Sequence, residues 1–299
     1  MLYSGIALFF GLTFFNQSFN FYGADSVPLE GVEKSKVLNY NVRLFDLYNW
    51  TENNKTKKQI FTFLKEEDAD IYCFQEFFHQ DSSERFVTRD SLVKILRAKH
   101  IAEAYTHKLI KRQYFGLAIL SVYPILNQGK IDFPNDKNNN GMWVDVKRKT
   151  DTIRVFNVHL SSLRFQLPDY DYIGIEYSKG FAAKKEKEQR ILSRIEEAFK
   201  KRVVQTEIVL NEVKKSPYPV VLCGDFNDTP VSYCYSQFQD VLNDAFASSG
   251  FGWGTTYTGG LPFLRIDYIW HSENVSSTGF KVHSQKLSDH YPISCTIYR

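Results

Sequence analysis

The stretch formed by residues 219–230 constrains the fold of this chain most, because a short apolar run there ends abruptly in polar residues. The run 220–223 is rich in β-branched residues and predicts a buried strand. It is followed by Gly224, Asp225, Phe226, Asn227 and Asp228. Polar groups just past a core strand lie where layered α/β folds bind ligands. An ordinary turn is the alternative, since Asp and Asn favour turns through their own backbone hydrogen bonds.

Composition indicates a globular protein with a sizeable core. The chain has 299 residues, of which 43% are hydrophobic and 24% charged, as is usual for a folded domain. A net charge of only +3 permits an anionic substrate, but nucleic-acid-binding proteins often show a stronger basic excess. The four cysteines, at 73, 223, 234 and 295, show no CxxC spacing, which favours buried free thiols over a disulfide or a zinc site.

The N-terminus is almost wholly apolar over residues 2–15, and the first charged side chain is Asp25. This run is shorter than the ~18 residues of a complete membrane span, but extension through Phe19, Phe21 and Tyr22 gives one. No basic residues precede the run, unlike in a secretory signal. We therefore predict a membrane helix within residues 1–22 and a linker over 23–36. Membrane association follows, with the side unspecified, and a buried N-terminal helix is the alternative.

The remaining residues, 37–299, contain no linker and predict one domain with many strands and few long helices. Apolar runs predict ten strands, at 37–42, 71–74, 102–109, 115–122, 125–133, 142–146, 153–160, 219–223, 265–270 and 293–298. Helices are predicted at 55–65, from an Asp90 cap to 96, at 183–215 and around 238–246. The buried stripe of the longest helix is predicted to comprise Leu192, Ile195, Phe199, Val203, Leu210 and Val213.

Several predicted strands end in, or lead into, polar residues of catalytic type. They are Asn41, Glu76, His159, Asp225, Asn227, Asp267, Asp289 and His290. Taken singly, each has a bland explanation as a turn former, a cap or a filler of the core. As a set, carboxylates without clustered His or Cys suit a hard cation such as Mg²⁺. Mg²⁺ chiefly serves phosphate chemistry, in which a histidine can move a proton and a separate Asp can activate water.

Six short motifs resemble, in order, those of the endonuclease/exonuclease/phosphatase superfamily. They are LNYNVR at 38–43, FQE at 74–76, NVHL at 157–160, GDFN at 224–227, IDYI at 266–269 and SDH at 288–290. This superfamily includes pancreatic-type deoxyribonucleases, abasic-site endonucleases, bacterial sphingomyelinases and inositol-polyphosphate phosphatases. The resemblance covers the chain from about residue 37 to the C-terminus and is to a bacterial, membrane-tethered type.

The resemblance implies a four-layer α/β/β/α sandwich, with two packed mixed sheets and helices outside. It also implies an Mg²⁺ site, with Mn²⁺ as a substitute, formed by Glu76 with Asn41 and Asp289 nearby. Asp225 is expected to orient or deprotonate the attacking water. Asn227 and His159 are expected to hold the scissile phosphate, and His290, held by Asp267, to protonate or stabilise a phosphate oxygen.

The substrate stays open among nucleic acid, phospholipid and small phosphorylated molecules, and no protein partner is inferred. Phe77-Phe78 replaces the Thr-Lys-like pair of abasic-site endonucleases, and no acidic residue around 113–115 matches that of pancreatic-type deoxyribonucleases. Loops at 77–89, 134–140 and 161–180 are predicted to form the substrate rim, with Tyr170, Tyr172 and Tyr177 stacking on bases, meeting lipid or packing the loop down. The predicted function is a metal-dependent phosphoesterase; the alternative is a membrane-tethered, catalytically silent binding domain.

Overall fold

The computed structural model describes residues 17–21, 23, 31–81, 85–109, 112–134, 136–163, 181–259 and 263–299. Twelve strands form two six-stranded sheets. The first sheet has the order β11-β12-β1-β2-β4-β3. Its strands, in chain order, are β1 (Lys34–Asn41), β2 (Ile71–Gln80), β3 (His100–Leu109), β4 (Gln113–Ser121), β11 (Ser276–Val282) and β12 (Ile293–Tyr298).

The second sheet has the order β5-β6-β7-β8-β10-β9. Its strands are β5 (Ile125–Asp132), β6 (Asn140–Lys147), β7 (Thr152–His159), β8 (Val220–Asp225), β9 (Asn243–Asp244) and β10 (Asp267–His271). Each sheet contains one parallel pair, β1–β2 in the first and β7–β8 in the second, and is otherwise antiparallel. Because parallel strands end at the same edge, each pair delivers the residues at its carboxyl ends together.

In the described part of the chain the helices with full bounds are α1 (Thr56–Glu67), α2 (Thr88–Ile95), α3 (Phe181–Lys214), α4 (Tyr233–Gln239) and α5 (Ala245–Ser249). The first four pack on the outer faces of the sheets, whereas α5 contributes Ala245 and Phe246 to the core between them. Three apolar clusters fill the space between adjacent layers. The first joins the facing sides of both sheets, through residues such as Val37, Cys73, Val155 and Cys223. The second joins the first sheet to α1 and α2, and the third joins the second sheet to α3 and α4. The predicted α/β/β/α sandwich with two mixed sheets is therefore confirmed.

Strand β2 differs most from its sequence-based prediction, because it does not end at Glu76. It continues to Gln80, and Phe77 and Phe78 are fully buried against the helices of the first sheet. The prediction of a rim loop starting at residue 77 is therefore wrong. Strand β11 was not predicted, and α2 begins at Thr88, so Asp90 lies in its first turn without capping it.

Helix α3 buries only part of the stripe that the apolar pattern predicts: Leu210 and Val213 are in the core. Leu192 and Phe199 are exposed, while Arg202, Gln205 and Thr206 are buried. The physical reason is a polar partner: Arg202 Nε donates to Asp228 Oδ2 at 3.1 Å and Gln205 Nε2 donates to Asp136 Oδ2 at 3.0 Å. Buried polar groups are stable when they are paired in this way.

The predicted N-terminal helix and the rim segment 164–180 fall mostly outside the described residues. Among the residues that the structure describes, no helix is long and apolar enough to cross a membrane. The short piece 17–21 contacts the domain, where Asn20 pairs with Gly252 as an isolated β-bridge. All four cysteines are free and buried, as the sequence predicts.

Candidate active site

Glu76 reaches the site through a β-bulge. Strand alternation places Gln75 on the face between the sheets together with Cys73, and would send Glu76 to the opposite face with Phe74. The pairing of β2 with β4 is regular up to Phe74, opposite Ala118, and resumes at Phe77, opposite Gly116. Two residues thus oppose one, and Glu76 adopts a left-handed conformation with φ 49°. Bulges of this kind redirect a side chain, and here the Glu76 carboxylate turns towards Asn41.

Asn41 connects the two sheets at the end of β1. Its Nδ2 donates to Asp225 Oδ2 at 2.9 Å and lies 3.4 Å from Glu76 Oε1. Its Oδ1 accepts from the backbone N–H of Arg43 at 3.1 Å, and Ser288 Oγ donates to its carbonyl oxygen at 2.9 Å. The amide is thereby fixed between a carboxylate of each sheet.

Asp225, the last residue of β8, lies at the centre of the site. Its Oδ2 accepts from Asn41 and also lies 3.5 Å from His159 Nε2 and 3.6 Å from His290 Nε2. Its Oδ1 accepts from the backbone N–H of Asn227 at 3.0 Å. His159 ends the neighbouring strand β7 directly opposite Asp225 in the parallel register. The Asn227 side chain donates to the carbonyl of Leu160 at 3.0 Å.

His290 and Asp267 form a buried dyad, with His290 Nδ1 and Asp267 Oδ2 2.8 Å apart. Burial alone would lower the pKa of His290, but the carboxylates of Asp267, Asp225 and Asp289 raise it well above its usual value. Burial raises the pKa of Asp267 to about 6, against the opposing effect of His290. The arrangement favours a cationic imidazolium held in one orientation, with Nε2 directed towards Asp225.

Asp289 lies next to the dyad at the solvent side, where its Oδ2 is 3.4 Å from Arg43 Nε. Burial raises the pKa of Glu76, and the charges of Asp289 and Asp225 add to this effect, whereas His159 and His290 oppose it. Three acidic side chains from three separate segments therefore act on one another at close range. All eight residues predicted from the sequence are brought together at this edge.

A pocket of about 420 Å³ adjoins these residues. Glu76 and His159 line it together with Asn138, Asn139 and Asn140, so the predicted rim loop at 134–140 does border the site. Leu44, Leu109, Phe115 and Leu117 add apolar walls. A site of this size and mixed lining accommodates a small molecule or one unit of a larger one.

Three buried amides behind the site were not identified from the sequence. Gln75 Nε2 donates to Asn39 Oδ1 at 2.7 Å and to Asn157 Oδ1 at 2.6 Å. Asn157 Nδ2 donates to the carbonyls of Phe74 and Ala118, and Asn39 Nδ2 donates to that of Gly224 at 3.3 Å. We call these residues the amide bridge, because they join the two sheets through the core. Asn39 lies two positions before Asn41, and Asn157 two positions before His159. Residues two apart in a strand share a face, so this spacing could have identified the two amides from the sequence.

The fold and this edge together define a class of protein. A sequence model of the Endonuclease/Exonuclease/phosphatase family matches residues 38–290. The chain therefore belongs to this family, which places it among the phosphoester hydrolases. No curated protein sequence matches the chain.

Solved structures similar to this chain share its fold at low sequence identity. An endonuclease/exonuclease/phosphatase family protein from Bacteroides thetaiotaomicron is 16% identical, with a TM-score of 0.64 over 89% of this chain and 98% of the other. A mannosyl-6-phosphatase from the same species is 16% identical, with a TM-score of 0.62 over 88% and 99%. A humanized D. rerio TDP2 is 18% identical, with a TM-score of 0.61 over 88% and 98%.

Proposed function

We propose that the chain is an Mg²⁺-dependent hydrolase that cleaves phosphoester bonds by attack of an activated water. The observation that carries this proposal is the surrounding of Asp225, whose Oδ2 lies 2.9 Å from Asn41 Nδ2 and 3.5–3.6 Å from two imidazole nitrogens. An oriented carboxylate beside two proton-transferring groups suits general acid–base catalysis. The mannosyl-6-phosphatase named above acts, by its name, on a phosphate ester.

The residues fit a hard divalent cation. Glu76 and Asp289 offer carboxylate oxygens, which Mg²⁺ prefers, and Asn41 lies beside them with its Nδ2 3.4 Å from Glu76 Oε1. Burial and the nearby carboxylates raise the pKa of Glu76, an effect that a cation would offset. When bound, Mg²⁺ or Mn²⁺ would neutralise phosphoryl oxygens and a leaving oxygen. Asp225, Asp267 and His290 also place one ligand atom each within 4.8 Å of one another. We assign no metal to that group, because His290 Nδ1 and Asp267 already share a hydrogen bond.

We assign roles to the other residues that their contacts support. Asp225 orients and deprotonates water, while His159 and Asn227 hold the phosphate. His290 donates from Nε2 to a phosphate oxygen, since Asp267 occupies Nδ1 and supports the imidazolium. We further propose that the protein is membrane-associated through residues 1–22. A substrate at a membrane surface, whether a phospholipid or another phosphoester, is compatible with that location.

Hydrolysis of a chromogenic phosphodiester and of a phosphomonoester, each with Mg²⁺ and with EDTA, tests the proposal. We expect Mg²⁺-dependent turnover that EDTA abolishes and that Mn²⁺ partly restores. Equal rates in Mg²⁺ and EDTA would contradict metal dependence. Absence of turnover on a panel of single-stranded DNA, duplex DNA, RNA, sphingomyelin, inositol phosphates and sugar phosphates would favour a silent binding domain.

A further inference from the structure

Five aromatic side chains from three segments make up a surface that we call the aromatic face; four of them are exposed and Phe19 is half-buried. They are Phe19, Phe21, Phe251, Trp253 and Phe263. The ring centroid of Phe19 lies 4.7 Å from that of Phe21 and 5.0 Å from that of Trp253. The ring centroids of Trp253 and Phe263 are 5.7 Å apart. Phe251 and Phe263 are 75% and 68% exposed. These ring contacts connect four of the five rings, and Phe251 lies two residues before Trp253. An exposed apolar cluster of this kind marks an interaction site.

The aromatic face carries no charge of its own. Residues 245–264 contain no Asp, Glu, Lys or Arg, and neither do residues 17–24, in a chain that is 24% charged overall. A nucleic-acid surface or an acidic partner would call for cations here. The chemistry of the face instead matches an uncharged, apolar boundary.

The N-terminal part of the face is held firmly on the domain. Asn20 and Gly252 exchange two backbone hydrogen bonds, at 3.0 and 2.9 Å. The buried Arg265 donates from Nη2 to the carbonyl of Gln17 at 2.7 Å and from Nη1 to Asp244 at 2.6 Å. Since the apolar run 2–15 directly precedes this segment, the chain that follows the run arrives at the aromatic face in a fixed orientation.

We propose that the aromatic face contacts the surface of a lipid bilayer with its Phe and Trp side chains. Trp and other large apolar side chains on a peripheral surface bury favourably at the boundary between headgroups and acyl chains. The continuity of the face with the apolar run, together with its lack of charge, favours a bilayer of neutral lipid over a protein partner.

The same loop that carries Phe251 and Trp253 leads to the active site. Tyr257 pairs with His290 as an isolated β-bridge, and their rings lie 5.4 Å apart. Four residues span at most about 14 Å, so the bilayer contact lies close to the candidate site. The consequence that the site acts on phosphoesters at the membrane surface rests on the proposed function, whereas the bilayer contact itself does not.

Tryptophan quenching by brominated lipid tests the contact independently of catalysis. The full chain is reconstituted with phosphatidylcholine vesicles whose acyl chains carry bromine close to the glycerol backbone. We expect Trp253→Phe to lower the quenched part of the emission at least about twofold. Trp50→Phe is the matched control, because Trp50 has a similar exposure of 42% against 46% and lies outside the face; it should keep the quenching. If the quenched part of the emission in Trp253→Phe equals that of the unsubstituted protein, the proposal is overturned.

A second pair of variants tests the phenylalanines. Phe251→Ser/Phe263→Ser removes two exposed rings and is expected to reduce the quenching of Trp253 at least about twofold, while Leu126→Ser/Leu192→Ser, also exposed, leaves it unchanged. Unchanged quenching in the first pair would overturn the proposal. Self-association that shields Trp253 from acrylamide, without quenching by brominated lipid, would show a contact between two copies and would also overturn it. Co-sedimentation with vesicles reports separately on the N-terminal run.

Discussion

The two parallel strand pairs deliver different parts of the candidate site. In the first sheet, β1 and β2 supply Asn41 and Glu76; the Glu76 carboxylate offers oxygen ligands for a cation, and Asn41 Nδ2 lies next to it. In the second sheet, β7 and β8 supply His159 and Asp225, which suit proton transfer and phosphate binding. The second pair simply ends at its two polar residues, whereas β2 continues past Glu76 and needs a bulge to aim it. The same edge is thus built in two ways, by ending strands at polar residues and by distorting a strand that continues.

The largest effect on turnover is expected from the second sheet. Asp225→Asn keeps the shape of the side chain but removes the carboxylate that faces both imidazoles, so turnover at saturating Mg²⁺ should fall at least ~100-fold, as for loss of a general base. Steady-state kinetics with a thermal melt measures it. Asp132→Asn, at an exposed position, is the control. Near-normal turnover in Asp225→Asn would remove the assigned role.

The first sheet should respond chiefly through the metal. Glu76→Gln removes a charged oxygen donor, so the Mg²⁺ concentration for half-maximal rate should rise ~10-fold or more, with a smaller loss at saturation than in Asp225→Asn. A metal titration of the rate measures it. If the Mg²⁺ titration is unchanged, another residue holds the ion and the division of labour between the sheets is wrong.

The dyad is expected to give a smaller effect, visible in the pH profile. Asp267, with Asp225 and Asp289, raises the pKa of His290, so His290 stays protonated until the pH rises through that value. Asp267→Asn removes one of these charges, lowers the pKa of His290 and should move the alkaline fall in rate to lower pH by about one unit. Rate–pH profiles of both proteins at saturating Mg²⁺ decide this. An unmoved alkaline limb would separate Asp267 from the protonation of His290.

The smallest effect on turnover, and a large one on stability, is expected from the amide bridge. Asn157→Ala removes one of the two acceptors of Gln75 Nε2 and the side-chain donor to the carbonyls of Phe74 and Ala118. This loss should cost ~2–4 kcal/mol of unfolding free energy. Urea denaturation measures it, with the exposed Asn274→Ala as the control. A loss no larger than that of the control would mean that the bridge adds nothing to the joining of the sheets.

Much of the fold could be predicted from the sequence, because buried strands appear as uninterrupted apolar runs. The positions of Asn41, His159 and Asp225 followed from their place at strand ends. The left-handed conformation of Glu76 did not, since its backbone geometry depends on the pairing with β4. The buried stripe of α3 was predicted wrongly at Leu192 and Phe199, because polar partners from distant segments decide which side of that helix is buried.

The amide bridge and the aromatic face could be recognised only in the folded structure, for a similar reason. The position of an amide in a strand does not indicate its hydrogen-bond partner. The partners of Gln75 lie 36 and 82 positions away in the sequence. Exposure of Phe251 and Phe263 depends on how three segments meet. Sequence patterns report local periodicity, whereas these features depend on contacts between remote parts of the chain.

The amide bridge also limits lateral slippage of the sandwich. Apolar side chains tolerate small shifts between packed layers, because the hydrophobic effect has no direction. Hydrogen bonds do have direction, so a displacement of one sheet along the other by a single residue would separate Gln75 from Asn157, its partner in the other sheet. The Asp225 carboxylate of one sheet and its donor Asn41 of the other would then no longer meet, so the buried amides keep the two sheets aligned for chemistry at their edge.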